Sequence, residues 1–195
     1  MAILKVARMG HPVLREKARV VEPAEIVSPT FQRLIDDMFE TMREYAGIGL
    51  AAPQIHESVR LFVAGLRSSK LTGAMSDDDE MPFVALINPV ITPVAAPGKT
   101  AIEMDTDWEG CLSIPDIRGM VERPSAISVT AFNRLGKKIV LQASGLPARV
   151  IQHETDHLDG VLFFDRMKTF ETLTFLDEYS RFWRKTDDDD DDDDE

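Results

Sequence analysis

The chain contains 195 residues, of which 44% are hydrophobic, and carries a formal net charge of −12. These values predict one domain with a hydrophobic core and exclude an intrinsically disordered chain. No apolar run approaches the length of a membrane-spanning helix, and no basic patch indicates direct nucleic-acid reading.

The clearest helix signal lies between residues 28 and 47. Ser28 is a suitable N-cap, Pro29 suits the first helical turn, and Gly47 lies just past the expected end. Apolar residues recur here with the three- and four-residue spacing of one helix face: Phe31, Leu34, Ile35, Met38, Phe39 and Met42. We expect this face to form part of the core.

The middle of the chain has the character of β-structure. Stretches rich in β-branched and aliphatic residues predict strands at 60–66, 83–87, 126–132 and 138–143. The last two flank a turn-like segment at 133–136 and therefore predict a hairpin. Residues 68–82 predict a solvated acidic loop, and residues 91–99, rich in Pro, Gly and Ala, favour irregular or edge structure.

Two further helices are predicted near the end of the chain. The first runs from about Pro147 to Leu158 and is ended by Gly160. The second covers about 169–185, and its apolar positions predict that it buries Phe170, Leu173, Leu176, Tyr179 and Trp183. Strands mixed with a few segregated helices predict an α+β fold.

Nine consecutive acidic residues occupy positions 187–195, so the other 186 residues carry a net charge of only −3. We expect a folded domain at 1–186 and a disordered acidic tail at 187–195. The single cysteine, Cys111, excludes an intrachain disulfide and favours a reducing compartment. The start of the chain lacks the apolar block of a secretory signal. We expect the bacterial cytoplasm, with an organelle stroma or matrix as the alternative if a transit peptide was removed.

The strongest chemical signal is the pentapeptide His-Glu-Thr-Asp-His at 153–157. Side chains four residues apart lie on one face of a helix, so His153 and His157 can bind the same metal ion. Glu154 can instead approach a metal-bound water and take its proton. Two surface histidines on an amphipathic helix are the alternative. The apolar neighbours of the motif indicate a buried helix, where such polar groups require a function.

A catalytic metal needs a third protein ligand and an open position. Cys111 is a candidate, since Gly110 beside it would allow close backbone approach, although a lone cysteine is more often a small buried hydrophobe. The segment 47–54 indicates, by itself, a helix-ending glycine followed by core packing. From these residues alone, ligation by one cysteine and two histidines stays open.

Three segments taken together resemble a known family. They read G-I-G-L-A-A-P-Q at 47–54, E-G-C-L-S at 109–113 and Q-H-E-T-D-H at 152–157. In this order they resemble the signature motifs of the peptide deformylases, G-I-G-L-A-A-x-Q, E-G-C-L-S and Q-H-E-x-D-H, with every fixed position matched. The resemblance covers most of residues 1–168. It implies a catalytic domain with mixed or antiparallel sheets around a central metal-binding helix, followed by a C-terminal helix.

The resemblance also implies a role for each motif residue. Cys111, His153 and His157 would bind one catalytic metal, with water in the remaining position. Glu154 would serve as the general base that activates the water and then as the acid that protonates the departing amine.

Other matched residues would act on the substrate. The Gln54 amide and the backbone N–H of Leu112 would stabilise the oxyanion of the tetrahedral intermediate. The residues expected to bind substrate are Ile48, Gly49, Glu109, Gly110 and Leu146. Glu109 resembles the family residue that pairs with a nearby arginine, expected here to be Arg118.

The implied reaction is hydrolysis of the N-formyl group from the N-terminal formylmethionine of new polypeptides, which releases formate. Two imidazoles and a thiolate would suit zinc on grounds of softness. The family instead favours Fe(II), one per chain, with Ni, Co or Zn able to substitute.

The implied partners are N-formylmethionyl nascent peptides and, transiently, the ribosome. The acidic tail would weaken the ribosome contact, although a tail that only aids solubility is an equal alternative. Neither a membrane nor a directly read nucleic acid is expected, and the chain is expected to be a monomer.

Two rival interpretations make different predictions. An ordinary H-E-x-x-H zinc metallopeptidase would take its third ligand downstream, from Glu171 or Glu178, and would leave Cys111 without a role. A non-enzymatic domain whose metal only stabilises the fold would need four protein ligands, whereas three are evident.

Overall fold

The computed structural model describes residues 2–66 and 81–184. Most of the predicted acidic loop at 68–82 and the whole acidic tail at 187–195 therefore lie outside the described residues. The division into a domain and a tail stays a prediction.

Four α-helices form in the described ranges: α1 (Pro23–Ile26), α2 (Pro29–Glu44), α3 (Gly145–Leu158) and α4 (Leu176–Phe182). The two long ones, α2 and α3, confirm the helices predicted from periodicity and capping. The Ser28 hydroxyl accepts a hydrogen bond from the N–H of Phe31 at 3.3 Å, as expected of an N-cap. The residue in the left-handed conformation after α2 is Ala46, at φ 51°, and not Gly47.

Eight strands in the described ranges form two antiparallel sheets. The strands are β1 (Gly49–Ala51), β2 (Leu61–Leu66), β3 (Met81–Pro93), β4 (Met104–Cys111), β5 (Ile114–Pro124), β6 (Ala126–Phe132), β7 (Lys138–Ser144) and β8 (Thr174–Phe175). The first sheet has the order β1-β2-β3-β6-β7, and the second has the order β4-β5-β8. Strands β1 and β4 are therefore edge strands. The predicted hairpin is confirmed as β6–β7.

Strand β3 is longer than predicted at both ends. Met81 and Pro82 belong to it and not to a loop, and Ile91 pairs with Val129 of β6 at a position where irregular or edge structure was expected. Pro89 lies where the register shifts between Ile87 and Val90. A proline without an N–H is tolerated where a ladder is interrupted, so it does not end the strand.

The hairpin β4–β5 was not predicted. Strand β4 is exposed over residues 104–107 and carries acidic side chains there, so it lacks the apolar alternation that indicates a half-buried strand.

The predicted C-terminal helix is present but much shorter than 169–185. Residues 174–175 form strand β8 instead, and α4 contains no buried residue. Phe170 is 66% exposed, Leu173 39% and Trp183 51%, and Leu176 and Tyr179 are only half-buried, so the expectation that these five residues are buried was wrong. The segment lies over β5 at the surface, where apolar spacing does not require full burial.

The first sheet separates two parts of the core. Leu61 and Val63 of β2 face α2, in a cluster with Ile35 and Met38. Between them, Phe62 faces the opposite side and packs in a second cluster with residues of α3 such as Ile151 and Leu158. Helix α3 thus lies between the first sheet and β5 of the second. No helix of the described ranges is long and apolar enough to cross a membrane.

Asn88 attaches the N-terminal segment to β3. Its side-chain amide donates to the carbonyl of Val21 at 2.8 Å, and its amide oxygen accepts from the N–H of Val21 at 2.9 Å. Asn88 has φ 51°, a left-handed conformation that asparagine tolerates better than most residues.

Replacing Asn88 separates the two contributions. Asn88→Gly keeps the backbone conformation and removes both hydrogen bonds, so we expect the free energy of unfolding to fall by about 1–3 kcal/mol. Asn88→Ala should cost about 1 kcal/mol more because alanine disfavours this conformation. Urea denaturation measures both values. Equal losses of stability in the two variants would argue against a contribution from backbone conformation. An unchanged free energy of unfolding in Asn88→Gly would argue against a contribution from the hydrogen bonds.

Candidate active site

A cavity of about 540 Å³ opens between edge strands β1 and β4, over helix α3. Every site residue predicted from the sequence except His157 lines it. These residues are Ile48, Gly49, Gln54, Glu109, Gly110, Cys111, Leu112, Leu146, His153 and Glu154. The three motifs, which are distant in sequence, therefore meet in one place.

Cys111 and His153, which line this cavity, converge with His157, which lies directly behind them. The potential ligand atoms of the three side chains lie within 4.8 Å of one another, and Cys111 Sγ is 3.2 Å from Nε2 of His157. The histidines are four residues apart on α3, and Cys111 comes from the end of β4. Among the described residues this is the group that could hold a metal ion. Glu171 and Glu178, the ligands of the metallopeptidase alternative, are exposed and not part of it.

Gln54 is fixed beside the thiol. Its amide oxygen accepts a 2.7 Å hydrogen bond from the N–H of Ala51, so its nitrogen must point the other way. That nitrogen lies 3.5 Å from Cys111 Sγ and 3.3 Å from the hydroxyl of Ser113. Gln54 is only 1% exposed. A buried amide donor is thus directed at the same point as the potential ligands.

Glu154 lies deep in the cavity, next to Gly49. Its Oε2 atom is buried and has no hydrogen-bond partner in the described part of the chain. A Cβ atom on Gly49 would collide with the Glu154 carboxylate, so only glycine permits this approach. Burial raises the pKa of Glu154 to about 7 against the opposing effect of His153 and His157.

Glu109 is enclosed by cationic partners. Its carboxylate accepts from Arg123 at 2.6 and 3.0 Å and from Arg149 at 2.9 Å, and it lies 2.9 Å from Nδ1 of His153. The expected partner Arg118 was the wrong arginine. Arg118 is the register neighbour of Gly110, and its guanidinium covers that glycine in the cavity wall.

Arg123 also joins Glu109 to a second buried acid. It donates to Asp156 at 2.9 Å, and Asp156 accepts further bonds from Arg166 at 2.6 and 3.1 Å. Asp156 belongs to the H-E-x-x-H segment, so the ion-pair network ties α3 to β5 on the side away from the cavity.

The electrostatics favour positive charge at the potential ligands. Burial alone would raise the pKa of the Cys111 thiol, but His157 and His153 outweigh it and hold that pKa well below its ordinary value. Burial would lower the pKa of His153, but the hydrogen bonds to Cys111 and Glu109 raise it well above its ordinary value. A thiolate and a carboxylate around one imidazole attract a proton and would equally attract a metal cation.

This donor set fits a metal ion. One thiolate and two imidazoles are the three protein ligands of an open catalytic site, and the cavity leaves space for a further ligand. The contact between Nδ1 of His153 and Glu109 leaves Nε2 of His153 for the metal, the arrangement by which outer carboxylates orient histidine ligands.

Several residues of the site were not predicted from the sequence. Arg149 could have been found, because it precedes His153 by four residues and so shares its helix face. Arg123 could not, since it reaches Glu109 only through the pairing of β4 with β5. Trp108 and Leu176, which also line the cavity, lie outside the three motifs.

Comparison with known proteins agrees with this geometry. The sequence model of the family described as polypeptide deformylase matches residues 3–172. The chain belongs to the polypeptide deformylase family. It is therefore a hydrolase of a metal-dependent family, and membership supports deformylation of nascent peptides.

Curated deformylases from different sources resemble the chain to a similar degree. A peptide deformylase of Leptospira biflexa is 41% identical over 169 residues, which cover 87% of this chain and 90% of that protein. Peptide deformylase 1A, chloroplastic/mitochondrial, of Arabidopsis thaliana is 40% identical over 181 residues, covering 89% of this chain but 65% of that longer protein. The relatives thus include bacterial and organellar forms.

Solved deformylase structures share the fold. A class I type b peptide deformylase from Acinetobacter baumannii with Met-Ala-Ser bound has a TM-score of 0.75 and 36% identity, covering 85% of this chain and 99% of that one. A peptide deformylase from Synechococcus elongatus in complex with actinonin has a TM-score of 0.71 and 36% identity, covering 93% and 86%. The predicted α+β fold and family are confirmed.

Matched replacements of two arginines test the corrected ion pair. Arg123→Met should lower the free energy of unfolding by about 3–5 kcal/mol, because it leaves buried Glu109 and Asp156 short of a charge partner. Arg118→Met removes a half-buried side chain outside this network, so it should change the free energy of unfolding by about 0.5 kcal/mol or less. Denaturant unfolding gives the free energy of unfolding of both variants. A larger loss in Arg118→Met than in Arg123→Met would indicate that Arg118 is the partner of Glu109.

Proposed function

We propose that this chain removes the N-formyl group from the formylmethionine of nascent polypeptides, using one metal ion held by Cys111, His153 and His157. The observation that carries the proposal is the convergence of these three side chains, with Glu154 beside them, at a cavity bordered by β1 and β4. Cys111 and His153 line that cavity, so a peptide lying in it would reach the ligands.

We propose Fe(II) as the metal, one per chain, with Ni, Co or Zn able to replace it. The two imidazoles and the thiolate accommodate any of these ions, and the choice of iron follows the family. Bound there, the ion supplies Lewis acidity that activates water and polarises a carbonyl group.

The substrate would dock as an additional strand. Among the described residues, β1 and β4 each pair with another strand along one edge only, and an extended peptide can hydrogen-bond to a free strand edge at the cavity. Gly49 on β1 leaves room for the Glu154 carboxylate, and Gly110 on β4 leaves room for the Arg118 guanidinium, so both groups lie close to the strands that would bind the peptide. Ile48 and Leu146, which line the cavity and pack against the same hydrophobic cluster, would enclose the methionine side chain.

Glu154 would move the proton. A water molecule adds its oxygen to the formyl carbon while Glu154 accepts a proton from it, giving a tetrahedral intermediate. The C–N bond then breaks, and Glu154 returns the proton to the amine nitrogen. The products are formate and a peptide with a free N-terminus.

The developing oxyanion would be stabilised by donors already in place. The Gln54 amide nitrogen is directed to this point by the bond between Ala51 and the Gln54 oxygen. The backbone N–H of Leu112, at the turn between β4 and β5, would be the second donor. Such donors contribute most when they need no reorganisation during the reaction.

The cellular setting follows from the same activity. We propose a monomer acting in the bacterial cytoplasm on chains emerging from the ribosome, with an organelle as the alternative. The acidic residues 187–195 would weaken contact with ribosomal RNA by charge repulsion. Ribosome co-sedimentation unchanged by deletion of 187–195 would contradict that effect.

Formate release from formyl-Met-Ala-Ser by anaerobically prepared, iron-loaded protein tests the reaction. Glu154→Gln should keep its metal and lose about 10²- to 10⁴-fold in rate, because the base is gone. Cys111→Ala should lose both metal and activity. Metal content by mass spectrometry accompanies each assay. A Cys111→Ala variant that keeps its metal would favour the metallopeptidase. Full formate release by metal-bound Glu154→Gln would contradict Glu154 as the base, and no formate from the metal-bound, unaltered protein would favour a structural metal.

Gln54 offers a test of oxyanion stabilisation alone. Gln54→Leu removes the donor at similar volume, so kcat should fall by about 10²- to 10³-fold. The KM should change little, because the donor acts mainly on the intermediate. Steady-state kinetics on the same peptide give both constants. A rise in KM with unchanged kcat would place Gln54 in substrate binding instead.

A further inference from the structure

The cavity has an aromatic end that none of the motif residues forms. Trp108, three residues before Cys111 on β4, lines it together with Leu176, the first residue of α4. Two aromatic rings pack against Trp108, whose ring centroid is 4.8 Å from that of Tyr179 and 5.5 Å from that of Trp183. We call Trp108, Leu176, Tyr179 and Trp183 the aromatic rim.

We propose that the aromatic rim determines specificity beyond methionine, by favouring an aromatic or large apolar side chain at the second or third residue of the substrate. This inference rests on the proposed deformylation and adds to it a preference for part of the nascent chain.

The rim lies within reach of those residues. An extended strand advances about 3.3 Å per residue, so Trp108 lies about 10 Å along β4 from Cys111. A peptide that places its formyl group at Cys111 and runs along the edge of β4 covers the same span with its first three residues. Side chains that follow the methionine therefore pass Trp108.

The rim also has the character of a binding surface. Helix α4 contains no buried residue, and Trp183 is 51% exposed, so the rings are not enclosed as in a core contact. Trp108 and Leu176 face the same continuous cavity as Cys111. A further ring stacked here would bury apolar surface of the substrate and of the rim together, whereas a small or acidic side chain would not.

Competition among formylated peptides measures the preference. Iron-loaded protein is assayed for formate release from formyl-Met-Phe-Ser, formyl-Met-Ala-Phe and formyl-Met-Ala-Ser. We expect kcat/KM to be at least fivefold higher for one of the phenylalanine peptides than for formyl-Met-Ala-Ser. In Trp108→Ala that ratio should fall below twofold, and Trp108→Phe should restore most of it. The ratio is internal to each variant, so a general loss of activity cancels.

Two further variants guard against misfolding of Trp108→Ala. Leu176→Ala removes the aliphatic part of the rim and should lower the ratio at least twofold. Phe182→Ala, on the same helix, removes a ring that is 65% exposed and does not line the cavity, so it should leave both ratio and activity unchanged.

A binding measurement gives an answer that does not depend on turnover. The two tryptophans of the chain are Trp108 and Trp183, so intrinsic tryptophan fluorescence reports on the rim alone. Titrating metal-loaded protein with Met-Phe-Ser, Met-Ala-Phe and Met-Ala-Ser should give a larger emission change, and at least fivefold tighter binding, for one of the phenylalanine peptides.

The outcomes separate the two proposals. Equal kcat/KM for all three formyl peptides, or a preference unaltered in both Trp108→Ala and Leu176→Ala, would overturn the role of the rim while leaving deformylation intact. Absence of formate from every peptide would instead overturn the proposed function, and this inference with it.

Discussion

Glu109 is a carboxylate taken almost entirely out of water, and the active site depends on how its charge is compensated. An uncompensated buried charge costs several kcal/mol, so Glu109 is stable there only with Arg123, Arg149 and His153 in place. These partners come from β5 and α3, while Glu109 lies on β4, two residues before Cys111. The same ion pairs therefore hold the strand that carries the thiol against the helix that carries the imidazoles.

Other polar groups of the site are oriented before any substrate arrives. The backbone of Ala51 determines which way the Gln54 amide points, and Glu109 determines which nitrogen of His153 faces the cavity. Glu154 differs from these two residues, because its Oε2 atom has no hydrogen-bond partner in the described ranges. Fixed donors around one unsatisfied carboxylate suit a reaction in which a single group must accept and return a proton.

The elements that were predictable from sequence are those whose residues carry their own periodicity. Helix α2 has an apolar stripe and a Ser28 cap, and the β6–β7 hairpin alternates around its turn. Strand β4 has neither signal, because most of it is exposed and its position is determined by pairing with β5. The length predicted for the C-terminal helix was wrong for the converse reason. Apolar residues recur there at helical spacing, but the segment lies on the surface, where such spacing does not determine how long a helix is.

The residues of the candidate site also differ in whether the sequence alone could predict them. The proposed metal ligands and Glu154 fall within short motifs, because the chemistry proposed for them requires particular residue types at particular spacings on one helix or turn. The arginine that compensates Glu109 is 14 residues away in sequence. In the β4–β5 register Glu109 lies opposite Gly119 and Arg123 opposite Asp105, so Arg123 reaches Glu109 along one face of the sheet, whereas Arg118 lies opposite Gly110 on the other face. The aromatic rim joins the middle of the chain to its last helix. The residues proposed for the reaction are therefore largely local in sequence, whereas the ion pairs that support them and the aromatic rim arise from contacts that only the fold creates.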